Sequence, residues 1–397
     1  MRITARHPAK TLAAATAVAA SLILAGTSAA VASPARPAAP QAGPGLVRQI
    51  LSGRTLRHTF VPAGSSRPRS EPLADPDDIT GLGGDLFTAF QNGVGPQGQA
   101  SPDGNTASTV VEFTPAGRVI RQWDITGKSD GLTADAGDRM VIATVNEDAH
   151  SSVFTITPGA RRGAQVVHYR YNKPLPHNGG TDAISVIHGQ VLISASAPGT
   201  TGRPAPQASY PAVYSVTFSR ARHVATVSPL FFDEAIATVA NLGVAQGTHV
   251  RLGLTDPDSN EIVPAVAPRF AGDFMLDSQG DKEQIFVRPG RPGSPLAVLR
   301  LSQSIDDTAW ARSSSGVLYG ADTSGDTIDA VTGLFRVGAI FVAVTPCDAD
   351  GAPATCPTAG FPANYLGALN PWTGVITRVA LTGPAFEPQG LVFVSGS

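Results

Sequence analysis

Four aspartates, Asp130, Asp182, Asp273 and Asp307, each stand directly before a short apolar run, and in the first three a glycine follows seven residues later. A second apolar run then begins at once. This is the pattern of a hairpin with a glycine in its turn. If the hairpins repeat around a common axis, the aspartates come together at one end of it. Asn241 and Gln389 hold the same place in two looser copies. A ring of carboxylates and amides attracts cations or hydrogen-bonds polyols. Such an aspartate has an equally ordinary structural use, accepting backbone N–H groups to tie neighbouring strands. Several carboxylates in one place repel unless they are hydrogen-bonded or share a cation. Both uses remain open.

Two further stretches carry candidate chemistry. His177-Asn178-Gly179-Gly180-Thr181-Asp182 joins an imidazole, a glycine pair and a carboxylate. The glycines let backbone approach a ligand, and His with Asp can serve as an acid/base pair; a loop entering a strand explains the same residues. Asp256-Pro257-Asp258-Ser259-Asn260-Glu261 spaces oxygens as a calcium loop does, but Glu261 stands where an EF-hand needs glycine. As a turn between Val250–Leu254 and Ile262–Val266 it needs no ion. A divalent cation such as calcium is therefore a possible cofactor, without a defined site.

The elements that would position these residues are strands. From Ile79 onward, Val- and Ile-rich runs alternate with Gly, Asp, Asn and Pro clusters, and a helical period is absent. The 42 glycines and 33 prolines among 397 residues fit many turns between short strands. Hairpins start at Asp130, Asp182, Asp273 and Asp307, with a looser copy at Asn241, and each is followed by one or two more strands. The sixth start is the last stretch, Gln389 to Phe393. Its partners are expected at the other end of the chain: Leu86 to Phe90, Val110 to Phe113 and Val119 to Trp123. Six starts predict an all-β, six-bladed β-propeller, closed by pairing the C-terminal strand with N-terminal strands. Glu387 and Gln389 then reach the channel mouth. The stretch between Asp307 and Gln389 reads as a long insertion.

The motifs "SDGLTAD", "TDAISV" and "PQGLVFV" resemble the six-bladed propellers of the NHL-repeat and SMP-30/gluconolactonase-like group, over residues 79–397. They also resemble secreted actinobacterial propellers. The SMP-30 resemblance implies a divalent metal in the channel that polarises a lactone carbonyl and activates water. Glu387 would stand for its glutamate, and Asn178 or Asn241 with Asp182 for the rest. Pro388-Gln389-Gly390 departs from the Glu-Gly-Pro order of that group, and no clear Asn-Asp pair is present. A metal-dependent hydrolase or lyase is the alternative to a binding module for an unknown small molecule or envelope ligand.

Residues 1–32 carry a signal-peptide pattern: basic Arg2, Arg6 and Lys10, an uncharged run from Thr11 to Gly26, then Ala30-Val31-Ala32. An uncleaved anchor is the alternative. Residues 33–78 read as an Ala/Pro-rich linker with a partly ordered patch at Leu46–Leu51. Cys347 and Cys356 flank a polar loop, and a disulfide suits an exported, extracellular protein. With 15% charged residues and net charge −2, nothing recruits nucleic acid. No stable membrane insertion is expected, and the chain reads as a monomer.

Overall fold

The computed structural model describes residues 43–176, 179–196, 209–243, 245–288, 294–333, 335–358 and 363–396. The signal-peptide segment, His177 and Asn178 lie outside them. The described residues form β-strands, with one short 3-10 turn at Gly53–Thr55. Among them no helix is long and apolar enough to cross a membrane.

Antiparallel strands build six units of four. The first runs in chain order, Pro76–Leu82, Asp85–Phe90, Ala107–Phe113 and Val119–Thr126. The second is Ser129–Asp135, Met140–Val145, Ser152–Ile156 and Val166–Tyr171. The third is Ile184–Ile187, Gln190–Ser194, Pro211–Ser219 and Val224–Phe232. A short parallel contact, Arg170 with Val224, joins the second and third into one eight-stranded sheet. The fourth is Pro257–Ile262, Phe274–Ser278, Glu283–Val287 and Leu296–Arg300, extended by Ile236–Val239 and His249–Arg251. The fifth is Ile305–Trp310, Ile340–Val344, Tyr365–Leu369 and Ile376–Arg378. The sixth is assembled from four parts of the chain: Pro388–Ser395, the hairpin Gly316–Asp322 and Thr327–Thr332, Gly45–Ser52, and the short Leu381–Thr382, parallel to it at the outer edge.

The first strand of each unit touches the first strand of the next, and Pro388–Ser395 touches Pro76–Leu82. Packing repeats this cyclic order. Six buried apolar clusters each draw residues from two neighbouring units. Ile142 and Tyr169 of the second unit meet Ile193 and Tyr214 of the third. Phe90 and Phe113 of the first meet Tyr319 and Ile328 of the sixth, so one cluster spans the two chain ends. Strands buried on both faces read as continuous apolar runs, which is why the alternation of Met140–Val145 or Ile340–Val344 is weak.

Several expectations are corrected. The C-terminal strand pairs with Gly316–Asp322, not with Leu86–Phe90. The first unit already has its own inner strand, Pro76–Leu82, and leaves no vacant edge. The N-terminal contribution to the sixth unit is Gly45–Ser52, whose Val47 and Leu51 are buried. Asp273 precedes the second strand of its unit, because the first is Pro257–Ile262 and not a turn. Asn241 follows an outer strand rather than opening a hairpin of its own. The region between Asp307 and Gln389 supplies strands to the fifth and sixth units and is not an insertion.

Candidate functional site: an acidic well

Five of the six inner strands carry an irregularity at the same place. The register slips between Pro76 and Ile79, Ser129 and Leu132, Pro257 and Asn260, and Ile305 and Thr308, and likewise where Pro388 to Leu391 faces Asp322 to Gly320. In each, three steps on the inner strand face two on its partner, leaving one extra residue. A bulge of this kind re-aims side chains. The residues so placed are Asp77, Asp130, Asp258, Asp306 and Gln389. Asp182 holds the matching place in the third unit, where its amide donates to Ser194 O at 3.1 Å. These six line a well of 160 Å³ together with Glu147, Asp348 and Gln279.

The next residue along each strand forms a second ring: Asp78, Gly131, Ala183, Ser259, Asp307 and Gly390. Its carboxylates serve as stitches. Asp78 Oδ2 accepts from the Leu132 amide at 2.7 Å, and Asp307 Oδ2 from the Leu391 amide at 2.6 Å, each across to the following unit. Asp307 Oδ1 also accepts from Ser259 Oγ at 2.8 Å. Asn260 joins the third and fourth units by donating from Nδ2 to Ala183 O at 2.6 Å. Gly131 and Gly390 are set by close approach: a Cβ on Gly390 would lie 2.4 Å from Asp77 O, and one on Gly131 2.3 Å from Asp182 O.

The first ring is electrostatically unlike the second. Lys128 sets its ammonium 2.8 Å from Asp130 Oδ1 and pairs with Glu147 as well, both residues of the well's wall. Gln91 Nε2 donates to Asp130 Oδ1 at 3.3 Å, and Gln389 Nε2 to Asp306 Oδ2 at 3.2 Å. Asp130 is 6% exposed, and its Oδ2 accepts no hydrogen bond although the Glu147 backbone lies close. Among the described residues, no base lies within ion-pair distance of Asp77, Asp182, Asp258 or Asp306. Burial, and then the neighbouring Asp307, pushes the Asp306 carboxyl up to about 8. Burial and Glu147 push Asp130 up to about 7, against the pull of Lys128. Asp182 is raised well above the carboxylate range by burial, then by Asp130. Asp77 and Asp258 are raised for the same first cause. Lys128 is held charged more firmly than a free lysine, because Asp130 and Glu147 outweigh its own burial.

Of the residues expected at the mouth, the structure brings together Asp130, Asp182 and Gln389, with Asp307 one step inside. Glu387 stays outside: its Oε2 accepts from Ser324 Oγ at 3.1 Å and its amide donates to Asp322 at 2.9 Å. Asn241 caps backbone elsewhere, donating to Arg300 O and Thr373 O at 2.8 Å each. Asp273 pairs with Arg288 at 2.8 Å. The ligand set implied by the lactonase resemblance, Glu387 with Asn241 and Asp182, therefore does not assemble. No group of three or more His, Cys, Asp or Glu among the described residues is arranged to hold a metal ion. Asp77, Asp306, Glu147 and Lys128 were missed in the sequence, and Asp258 was singled out only in a stretch weighed as a calcium loop or a turn. The signals were the doublets Asp77-Asp78 and Asp306-Asp307, and a proline directly before Asp77, Asp258 and Gln389. Proline suits the first residue of a strand, where its missing N–H costs nothing.

The Cys347–Cys356 disulfide is formed, with Cα atoms 5.6 Å apart. Its loop carries Asp348 to the rim of the well.

No family model matches the chain, and no curated protein matches it. Solved structures are similar to it. A Bacteroides caccae protein of unknown function has 9% identity and a TM-score of 0.45, covering 89% of this chain and 99% of its own. A periplasmic gluconolactonase of Pseudomonas aeruginosa has 13% identity and a TM-score of 0.41, covering 88% and 99%. Virginiamycin B lyase of Staphylococcus aureus has 10% identity and a TM-score of 0.38, covering 84% and 77%. No residue role passes from them to this chain.

Proposed function

We propose that the chain is an exported six-bladed β-propeller that works as a binding module, with the acidic well as receptor for an ammonium or guanidinium group on a ligand met outside the cell. The cyclic contact of six inner strands and the six shared clusters support the blade count. The Cys347–Cys356 bridge supports an oxidising location.

One observation carries the ligand class. The protein's own Lys128 places an alkylammonium between Asp130 and Glu147. The rest of the ring, Asp77, Asp182, Asp258 and Asp306, offers the same chemistry without a basic partner among the described residues. A ring around 160 Å³ fits a charged organic head with its hydrogen bonds better than a bare ion held by converging ligands. Charge-assisted hydrogen bonds to several carboxylates would hold it.

The test is calorimetry with butylammonium chloride and, separately, calcium chloride. Butylammonium should bind once per chain and lose its heat in the double variant Asp182→Asn, Asp258→Asn. Saturable calcium binding with no butylammonium heat would move the ligand to a divalent cation and revive the hydrolase alternative. No heat from either would end the cation-receptor proposal.

A further inference from the structure

A second cavity, of 550 Å³, lies on the far side of the second ring from the well. Its chemistry is different. Toward the mouth, the half-buried Leu82, Val186, Ile262 and Val392, from four of the units, give its wall an apolar collar. Among its charged side chains, Asp78 and Asp307 are already used as stitches. Asp85 stands across the ring, in the first unit. The remaining two are of opposite sign: Glu261, half-buried in the fourth unit, and Arg312, exposed two residues past the inner strand of the fifth. Neither side chain makes a hydrogen bond or an ion pair, with the other or with any further described residue.

The strand sets Glu261 toward Arg312. Asn260, Glu261 and Ile262 pair in regular register with Leu276, Met275 and Phe274. Asn260 turns to the third unit, where its Nδ2 donates to Ala183 O. Side chains alternate along a strand, so Glu261 turns the other way, to the fifth unit. Burial and then Asp307 of that unit push its carboxyl well above the usual carboxylate range, and Arg312 is near enough to pull it partly back. Two opposite charges thus stand in neighbouring units beside an apolar wall without closing on each other. A lone cation at Glu261 would meet the charge of Arg312. A lone anion at Arg312 would meet Glu261 and Asp307. A molecule that carries both charges on one carbon complements both side chains. We propose that this cavity is a second binding site, for a free α-amino acid with a large apolar side chain: its carboxylate on Arg312, its ammonium on Glu261, its side chain against the collar. The volume falls in the range of small-ligand sites, about 300–1,000 Å³. The site takes neither Glu261 nor Arg312 from the acidic well and is independent of the ammonium reading of that well.

The experiment is calorimetry on the whole chain at neutral pH with L-leucine, N-acetyl-L-leucine, L-leucinamide and glycine. Leucine should bind once per chain and about tenfold more tightly than either blocked form, the gain of one charge-assisted hydrogen bond. Glycine, which has nothing for the collar, should give no heat. Glu261→Gln should bring leucine down to the affinity of N-acetylleucine and leave N-acetylleucine no weaker. Arg312→Gln should bring leucine down to leucinamide and leave leucinamide no weaker. The well variant Asp182→Asn, Asp258→Asn should change none of these. Leucine bound no better than a blocked form, unchanged in Glu261→Gln or Arg312→Gln, lost in the well variant, or not bound at all overturns the amino-acid site. The blocked ligands decide this on the native chain even where a variant fails to fold, and butylammonium binding in the well stands or falls separately.

Discussion

The Leu391 amide donates to Asp307 Oδ2 across 2.6 Å, and through this bond the C-terminal strand is fastened to the fifth unit. Asp307 is 7% exposed and accepts from Ser259 and the Thr308 amide as well. Its carboxyl is raised to about 6 by burial, and the rise is limited by the Leu391 amide and then the Ser259 hydroxyl. Asp307→Ala leaves the Leu391 N–H without an acceptor in a buried place. The expected loss is about 1–3 kcal/mol in chemical denaturation, with Asp307→Asn losing less. A midpoint unchanged in Asp307→Ala would mean the strand is held by its ladder alone.

Closure itself has a separate test at Gly390. A side chain there meets Asp77 O, and the clash is with backbone, which cannot swing away. Gly390→Val should cost about 1–3 kcal/mol or more by overpacking. Deleting residues 388–397 removes the inner strand of the sixth unit and exposes Leu318, Tyr319 and Phe335, so cooperative unfolding should vanish. A truncated chain that melts as sharply as the whole would refute the ring.

Much of this arrangement was legible in the residues. The all-β class followed from the Val/Ile runs and their turns, and the inner strands opening at Asp130, Asp182 and Gln389 were found from their register. What escaped detection has two physical causes. A bulged inner strand begins with polar residues in both orientations, so Pro76-Asp77-Asp78 and Pro257-Asp258-Ser259 look like turns. The hairpin 316–332 leaves the fifth unit after Trp310, joins the sixth, and the chain then returns at Ile340. No local pattern records that exchange, because the partner strand lies at 388–395. Half of the site was hidden by the first cause and the route of closure by the second.

The well should make stability fall as pH rises. A carboxyl raised in the folded state, such as Asp306 at about 8, binds its proton more tightly there than in the unfolded chain. Its contribution is complete below the unfolded value of about 4 and is lost as pH rises through 8. Asp306→Asn, which cannot ionise, should melt with the native protein at pH 4 and above it at pH 8.5. Melting curves that differ equally at both values would show that charge is not the cause.

The disulfide should matter for the rim as much as for the fold. Its loop is anchored by the Asp350 amide donating to Gly280 O at 2.9 Å, and by Thr255 Oγ1 donating to Asp350 at 3.2 Å. Replacing both cysteines by serine opens a loop with a sequence separation of 9. The chain-entropy loss is about 2–3 kcal/mol. Asp348 would then leave the rim, and butylammonium affinity should fall along with stability. Unchanged affinity in a destabilised variant would place Asp348 outside the site.

A buried histidine gives a pH effect that does not involve the well. His58 is 5% exposed, with Nε2 2.9 Å from Glu71 and Nδ1 3.5 Å from Asp124. Burial alone would lower its pKa, but the nearby Asp124 carboxylate and then the hydrogen-bonded Glu71 prevail, and the net shift is upward. The sign follows: the protonated ring stabilises the hairpin Arg57–Phe60 and Arg69–Pro72 fully below the unfolded value of about 6.5, and that contribution fades as pH rises through the higher folded value. His58→Gln should therefore be most destabilised relative to the native protein near pH 5.5 and approach it above pH 8. Melting midpoints across that range decide it, and a difference that grows with pH would show that the ring is held neutral.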